Sequence, residues 1–141
     1  MGKINWGRVV LGGVLWSVVY NMLVAVWIPF FLRIGWAPAL EKLLGRPFHT
    51  TPEWIVFFLV LSLIAGIFSI WFYAAIRPRY GPGPKTAAYA GLALWLSVKL
   101  LPTLAWGWLL ELPTRLVALD VVAGLVFIVA ATLVGAWPYK E

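Results

Sequence analysis

The pattern of apolar and polar residues along the chain consists mainly of long uncharged stretches. Residues 9–32 and 54–76 carry no charged side chain, and each exceeds the ~20 residues that a helix needs to cross a bilayer core of ~30 Å. Two further apolar runs, 86–110 and 116–138, are each interrupted by a single charge. None of the four runs alternates as barrel strands do, and in lipid a backbone must satisfy its own hydrogen bonds. The pattern predicts membrane-spanning helices over residues 8–32, 53–76, 86–110 and 115–137.

The connections between these runs predict the topology. Residues 112–115 form so short a loop that the third and fourth helices must be antiparallel neighbours. Residues 77–85 form a basic hairpin between the second and third helices. The longest loop, residues 33–52, contains a predicted amphipathic helix at 38–44, which a glycine then ends. We therefore expect an all-α fold, a polytopic antiparallel bundle of four transmembrane helices that forms a single domain over residues 1–141.

Composition agrees with a membrane location. Hydrophobic residues make up 63% of the chain and charged residues 11%, whereas a soluble domain is about 45–50% apolar and about 25% charged. The absence of cysteine excludes disulfides, thiolate catalysis and cysteine-based metal sites, and a single histidine excludes a multi-histidine metal site. We expect no metal. The cofactor stays unknown, because a pigment or quinone between helices would leave little trace in composition.

The net charge of +6 is carried by the loops and the tails, which favours anionic lipid headgroups as partners. No nucleic-acid-binding motif accompanies these cations, so we expect no nucleic acid. The hairpin at 77–85 carries cations and no acidic residue, so the positive-inside rule predicts that it lies on the cytoplasmic side. We expect a multi-pass protein of the inner (cytoplasmic) membrane with cytoplasmic N- and C-termini, whose cytoplasmic cations are Lys3, Arg8, Arg77, Arg79, Lys85 and Lys140.

The hairpin itself, IRPRYGPGPKT, admits two interpretations. Its three prolines should end the helices, and its two glycines allow positive φ, so the segment predicts a compact turn. In the first interpretation, which we favour, Arg77, Arg79 and Lys85 only anchor the topology at headgroup depth. In the second, these cations and the amide at the start of the third helix clamp a phosphate or a lipid headgroup.

The run YAAIRPRYGPGPKTA and the final GAWPYKE resemble small uncharacterised bacterial four-helix membrane proteins, which carry a basic Gly-Pro hairpin at the same place. The resemblance covers most of the chain. It implies the same topology and no established activity, so it adds no catalytic residue. In size the chain is also similar to the small multidrug resistance exporters. It lacks the membrane-embedded glutamate of their first helix, where the polar residue is Asn21.

Polar residues within the spans are functional hypotheses, because an ionisable group at the bilayer centre costs about 2.5–3.5 kcal/mol on insertion scales. Lys99 lies midway along the third helix, Asn21 lies at similar depth in the first, and Ser62 lies near the middle of the second. These three could meet at the midplane, with Thr103 one turn from Lys99 on the same face. The alternative is structural: a lysine that snorkels, or hydrogen bonds that hold helices together.

Pro102 should distort the third helix near Lys99. It has no N–H to donate to the carbonyl of Val98, so we expect a kink there. Trp95 and Trp106 are four residues before and seven after Lys99, which places them on its face in a regular helix. The spacing therefore allows a cation–π contact with the lysine.

Asp120 is the obvious partner for Lys99, but simple geometry argues against a direct pair. Asp120 lies about 7–8 Å inside the start of its helix, and Lys99 lies about 18 Å inside the end of its own. Side chains also lean toward their helix N-terminus, which would widen the gap. We expect Asp120 to pair with Arg115, or to face an outer vestibule with His49 and Glu53, and to reach Lys99 only through water.

Small residues predict close helix contacts on the second helix (Ser62, Ala65, Gly66 and Ser69) and on the fourth (Ala131 and Gly135), either within the bundle or between copies. The leading functional interpretation is a non-enzymatic bundle, a homo-oligomer or an accessory subunit of a larger membrane complex, that binds a hydrophobic ligand or partner. The alternative is a small oligomeric transporter or channel that uses a polar layer of Lys99, Asn21 and Asp120. An enzyme is least favoured, because hydrolysis or group transfer requires a clustered acid–base pair or a metal, and the sequence shows neither. Acid–base chemistry by Lys99 and Asp120 alone would require the two residues at one depth.

Overall fold

The computed structural model describes residues 4–139 and contains no strand among them, so two of the predicted cytoplasmic cations, Lys3 and Lys140, lie outside the described residues. The all-α class is confirmed, and four helical stretches are long and apolar enough to cross a membrane. The α-helices are α1 (Trp6–Phe31), α2 (Ala37–Leu44), α3 (Pro52–Tyr80), α4 (Pro84–Trp95), α5 (Leu101–Leu109) and α6 (Thr114–Ala136). The first span is α1, the second is α3, the third runs from α4 to α5, and the fourth is α6.

The hairpin between the second and third spans is shorter than predicted. Pro78 does not end α3, which continues one turn to Tyr80 and closes with a hydrogen bond from the Gly81 amide to the Arg77 carbonyl at 2.8 Å. Proline removes one amide donor, and so near the helix end a single hydrogen bond is lost and the last turn persists. The connecting turn is therefore residues 81–83, where both glycines adopt the predicted positive φ. Pro84 then opens α4 at a first-turn position that proline favours.

Before Pro102, where a kink was expected, the helix contains a π-helical turn. Residues Leu96–Leu100 adopt this wider turn, and the amide of Leu101 reaches back to the carbonyl of Leu96. Ser97 at its start donates to the Ala93 carbonyl at 2.8 Å. A π turn holds an extra residue, so every side chain beyond it is rotated by ~100° relative to a regular helix. The turn therefore changes which residues of α5 share a face with α4.

The four spans pack as a ring. The first span packs against α3 and α6, and α4 packs against α6 and α3. The 81–83 turn and both ends of the described chain lie at one end of the bundle, here named the hairpin end. The opposite end, with residues 37–51 and 110–113, is named the loop end. Toward the loop end α3 leaves the bundle: every residue from Thr51 to Leu61 is exposed. A cleft therefore opens there between the second and third spans.

Two adjacent glycines bring α1 into backbone contact with two neighbours. A methyl group on Gly12 would collide with the carbonyl oxygen of Gly135 in α6, and a methyl group on Gly13 would lie 2.7 Å from the Cα of Ile67 in α3. Gly66 in turn faces the Gly13 carbonyl. Consecutive helix positions point ~100° apart, so this pair serves two helix contacts at once. The small-residue faces predicted on the second and fourth helices are thus packed inside the bundle.

A buried hydrogen-bond cluster fixes the register of these three helices. The indole Nε1 of Trp16, a residue that is 2% exposed, donates to the Thr132 hydroxyl at 2.9 Å. That hydroxyl donates to the Ile128 carbonyl at 2.7 Å and lies 3.0 Å from the Ser69 hydroxyl. A threonine hydroxyl has one proton to give, so Ser69 is the donor to Thr132. All three side chains are therefore satisfied without water.

The hairpin end is held by Tyr139. Its hydroxyl accepts from the Asn5 amide at 3.3 Å, and its ring meets Tyr73 edge to face at 5.9 Å. Arg77 lies over the same ring at 5.5 Å. The Tyr73 hydroxyl in turn accepts from the Gly83 amide at 3.3 Å. The N-terminal segment, the hairpin and the C-terminal segment are therefore joined around buried tyrosines.

Candidate functional site

A cavity of about 380 Å³ lies where the cleft between the second and third spans reaches the bundle axis. Its deep wall is formed by buried Trp16 and Ile128, and its rim by Phe58, Leu61 and Val98, which are about half exposed. The rim residues belong to the two spans that diverge, so the cavity opens sideways, toward the hydrocarbon that would surround the bundle. All four spans contribute to the lining, which also includes Tyr20, Asn21, Val24, Ser62, Ala65 and Lys99.

The first and second spans supply a fixed polar network to this cavity. Asn21 donates through Nδ2 to the Ser62 hydroxyl at 2.7 Å and to the Ser17 carbonyl at 2.7 Å. Ser62 donates to the Leu59 carbonyl at 2.8 Å and lies 2.9 Å from the Ser17 hydroxyl, which is therefore the donor to Ser62. A flipped amide would set the Asn21 oxygen against the Ser17 carbonyl. The network thus fixes the orientation of the Asn21 side chain.

The expectation that Lys99 and Asp120 would not pair directly is wrong. Lys99 Nζ lies 2.7 Å from Asp120 Oδ2, and the two side chains are 23% and 19% exposed. The distance is that of a charge-assisted hydrogen bond. The pair links the third span to the fourth at the depth of the cavity. A cation and an anion therefore share one layer of the membrane-spanning region, where each would be costly alone.

Three features bring the pair together. The third span ends at Leu109, so Lys99 lies only ~15 Å inside its end, and Asp120 lies ~9 Å inside the start of α6 at Thr114. The π turn that contains Lys99 rises less per residue than an α-helix does, and it changes the direction in which the lysine side chain points. The lysine stem then runs along Gly124, one helical turn from Asp120, where an added methyl group would lie 2.8 Å from Lys99 Cγ. The lysine stem thus spans the ~6 Å by which the depths of Lys99 and Asp120 differ, about one turn of helix.

The π turn also alters the other residues that were predicted to share the lysine face. Trp95, which precedes the turn, donates through Nε1 to the Val121 carbonyl of α6 at 3.0 Å. Thr103 and Trp106, which follow it, do not line the cavity, and Trp106 is exposed. The predicted positions of Thr103 and Trp106 are therefore wrong, because the extra residue rotates them away. Trp95 therefore links the third span to α6, as the Lys99–Asp120 pair also does.

The alternative partners expected for Asp120 do not contact it. Arg115, His49 and Glu53 are exposed, and Asp120 instead pairs with Lys99. Tyr20 stacks on Trp16 with ring centroids 4.8 Å apart. The stacked pair forms the aromatic wall of the cavity beside the polar floor.

The three cations of the hairpin do not converge on one point. Arg77 packs on the Tyr139 ring, whereas Arg79 and Lys85 are exposed. The amide of Gly83, just before α4, donates to Tyr73 inside the protein, so it does not take part in the phosphate clamp of the second interpretation. A cavity of about 390 Å³ does lie between the hairpin and the C-terminal segment, with Arg77 and the exposed Trp137 in its lining.

Four residues of the site were not singled out as candidates in the sequence. Ser17 and Tyr20 are ordinary polar positions on a long apolar helix, although Ser17 lies four residues from Asn21 and could have been paired with it. Trp16 forms the buried wall. Gly124 gave no signal, because its role depends on a lysine stem from another helix. Within residues 4–139 no three histidine, cysteine or acidic side chains lie close enough to hold a metal ion.

Comparison of the chain with protein-family models, with curated proteins and with solved structures finds no match.

Proposed function

We propose that this protein is a non-enzymatic integral membrane protein that binds an amphiphilic ligand in the lateral cleft. The observation that carries the proposal is the composition of one cavity: an apolar, aromatic wall, a small polar floor and a rim that faces the bilayer. Ligand sites are typically concave and mostly apolar, with a few placed polar groups, and their volumes are about 300–1,000 Å³. A ligand would enter from the lipid between Phe58 and Val98 and place its polar head against Asn21 and Lys99.

The proposal is tested by photolabelling in lipid vesicles. A hexadecanol that carries a diazirine on its chain should label peptides that line the cavity, above all the segment around Ser62. Ala65 lines this cavity, so Ala65→Trp should fill it and reduce that labelling about tenfold. The neighbour Ile64 faces outward, so Ile64→Trp adds the same side chain without entering the cavity and should leave the labelling unchanged. Equal labelling of both variants would refute a ligand site in the cleft.

A second function, a small transporter or channel, is favoured by one observation: Lys99, which lines the cavity, forms an ion pair with Asp120. A transported ion could exchange partners with such a pair. In proteoliposomes with an entrapped pH-sensitive dye, we expect proton flux that Lys99→Ala abolishes and Lys85→Ala, on the exposed hairpin, preserves. Wild-type flux no greater than that of empty liposomes, or unchanged flux in Lys99→Ala, would remove this function.

An enzyme is not proposed, although the pair itself would permit acid–base chemistry. The Ser62 hydroxyl, which lines the cavity, donates to a carbonyl of its own helix instead of to a base.

We also propose that the protein lies in the inner (cytoplasmic) membrane with cytoplasmic termini, that it contacts membrane lipids, and that it is related to small bacterial four-helix proteins. The support is the cation distribution and the two motifs that meet at Tyr139. Assembly as a homo-oligomer or accessory subunit would require surfaces other than the glycine contacts, which are used within the bundle.

A further inference from the structure

The floor of the cleft presents polar atoms that the protein itself does not pair. Within the fixed network Asn21 uses only its Nδ2 group, which donates to Ser17 and Ser62. Asn21 Oδ1 has no hydrogen-bond partner within residues 4–139. Lys99 has three N–H donors, and among those residues only Asp120 takes one of them. Asn21, which has an unpaired acceptor, and Lys99, whose ammonium has spare donors, therefore line the same cavity.

The charge of the floor is balanced. Lys99 is the charged residue among those that line this cavity, and Asp120, which is not among them, neutralises it at 2.7 Å. An anionic head would compete with Asp120 for the lysine, and a cationic head would compete with Lys99 for the aspartate. Either would leave a charge unpaired in a medium of low dielectric, which is costly. A head without net charge leaves the pair intact.

From these two features we infer that the ligand is a neutral single-chain amphiphile with a hydroxyl head, an inference that rests on the proposed function. The hydroxyl oxygen accepts from the Lys99 ammonium, and its proton is donated to Asn21 Oδ1. One O–H group thereby satisfies both atoms, because a hydroxyl is donor and acceptor at once. The alkyl chain lies along Trp16 and Ala65 and leaves through the rim into the bilayer.

The chemistry of the head is tested by competition against the photoactivatable hexadecanol in wild-type protein. Unlabelled hexadecanol should compete about tenfold better than its methyl ether, because the bound ether covers the Asn21 oxygen and leaves it unpaired, and a tenfold difference corresponds to about 1.4 kcal/mol. Hexadecanoate should compete no better than the ether. Asn21→Leu should abolish the difference between alcohol and ether, whereas Ser97→Ala, a polar deletion outside the cavity, should preserve it.

The outcomes separate the head-group inference from the proposed function. Equal competition by alcohol and ether would overturn the hydroxyl head while a ligand site remained. Preference for hexadecanoate would also overturn it, and would assign the cleft to an anion bound by Lys99. Absence of specific labelling by the alkyl probe would overturn both. Since the comparison of alcohol with ether uses wild-type protein, a failure of Asn21→Leu to fold would not affect it.

Discussion

Lys99→Met should destabilise the folded protein by about 3 kcal/mol, because it leaves the Asp120 carboxylate without its cation in the membrane-spanning region. The double variant Lys99→Met/Asp120→Leu should recover most of that loss and unfold within about 1 kcal/mol of the wild type, since apolar residues of similar size often replace a buried ion pair without cost. The measurement is SDS-induced unfolding in mixed micelles, read as a double-mutant cycle.

The matched control for this cycle uses the partner that chain geometry alone would assign to Asp120. Arg115 is exposed at the loop end, so Arg115→Met should change stability by less than about 0.5 kcal/mol and show no coupling to Asp120→Leu. Coupling of Asp120 to Arg115 and not to Lys99 would show that the pair does not form. The cleft would then have a lone lysine at its floor, which would favour an anionic ligand over a neutral one.

Gly12→Ala should destabilise the bundle by about 3 kcal/mol, at the upper end for overpacking, because the new methyl group meets the backbone carbonyl of Gly135 and not a side chain that could move. Gly7→Ala provides the control, since it lies on the same helix and a methyl group there makes only an ordinary contact at 3.6 Å. Gly12→Ala gains about 1 kcal/mol of helix propensity in the interior of α1, and Gly7→Ala, in the first turn, gains less. The difference between the two variants therefore gives a lower limit on the cost of the contact between helices.

Thermal unfolding in detergent, with helicity as the signal, measures this difference. Equal stability of Gly12→Ala and Gly7→Ala would contradict the close approach of α1 and α6. Since Trp16 and Thr132 hydrogen-bond across the same two helices, Gly12→Ala should also perturb the tryptophan environment, whereas Gly7→Ala should not.

The sequence was sufficient to predict the spans, because their signal is local. Length and hydropathy alone decide whether a segment such as α3 can cross a bilayer, and charged or glycine-rich turns separate such segments. The grouping of Asn21 and Ser62 was also predictable, since two polar residues at equal depth on adjacent antiparallel helices have few other partners.

The ion pair was not predictable from depth arguments, because its geometry depends on three features that sequence spacing does not describe. A π turn before Pro102 alters the face of the helix, an earlier helix end brings Lys99 closer to the loop end, and the absence of a side chain at Gly124 opens a path for the lysine stem. Each depends on contacts between helices. The same turn explains why Thr103 lies away from the site that its spacing predicts.

The most direct test of the ligand-binding account is native mass spectrometry of the protein extracted gently from its own membrane. The account predicts an added mass that corresponds to a neutral, chain-bearing molecule, present in wild type and Ile64→Trp and absent from Ala65→Trp. The bare mass of the chain in all three proteins, or the same adduct in all three, would contradict a ligand held in the lateral cleft.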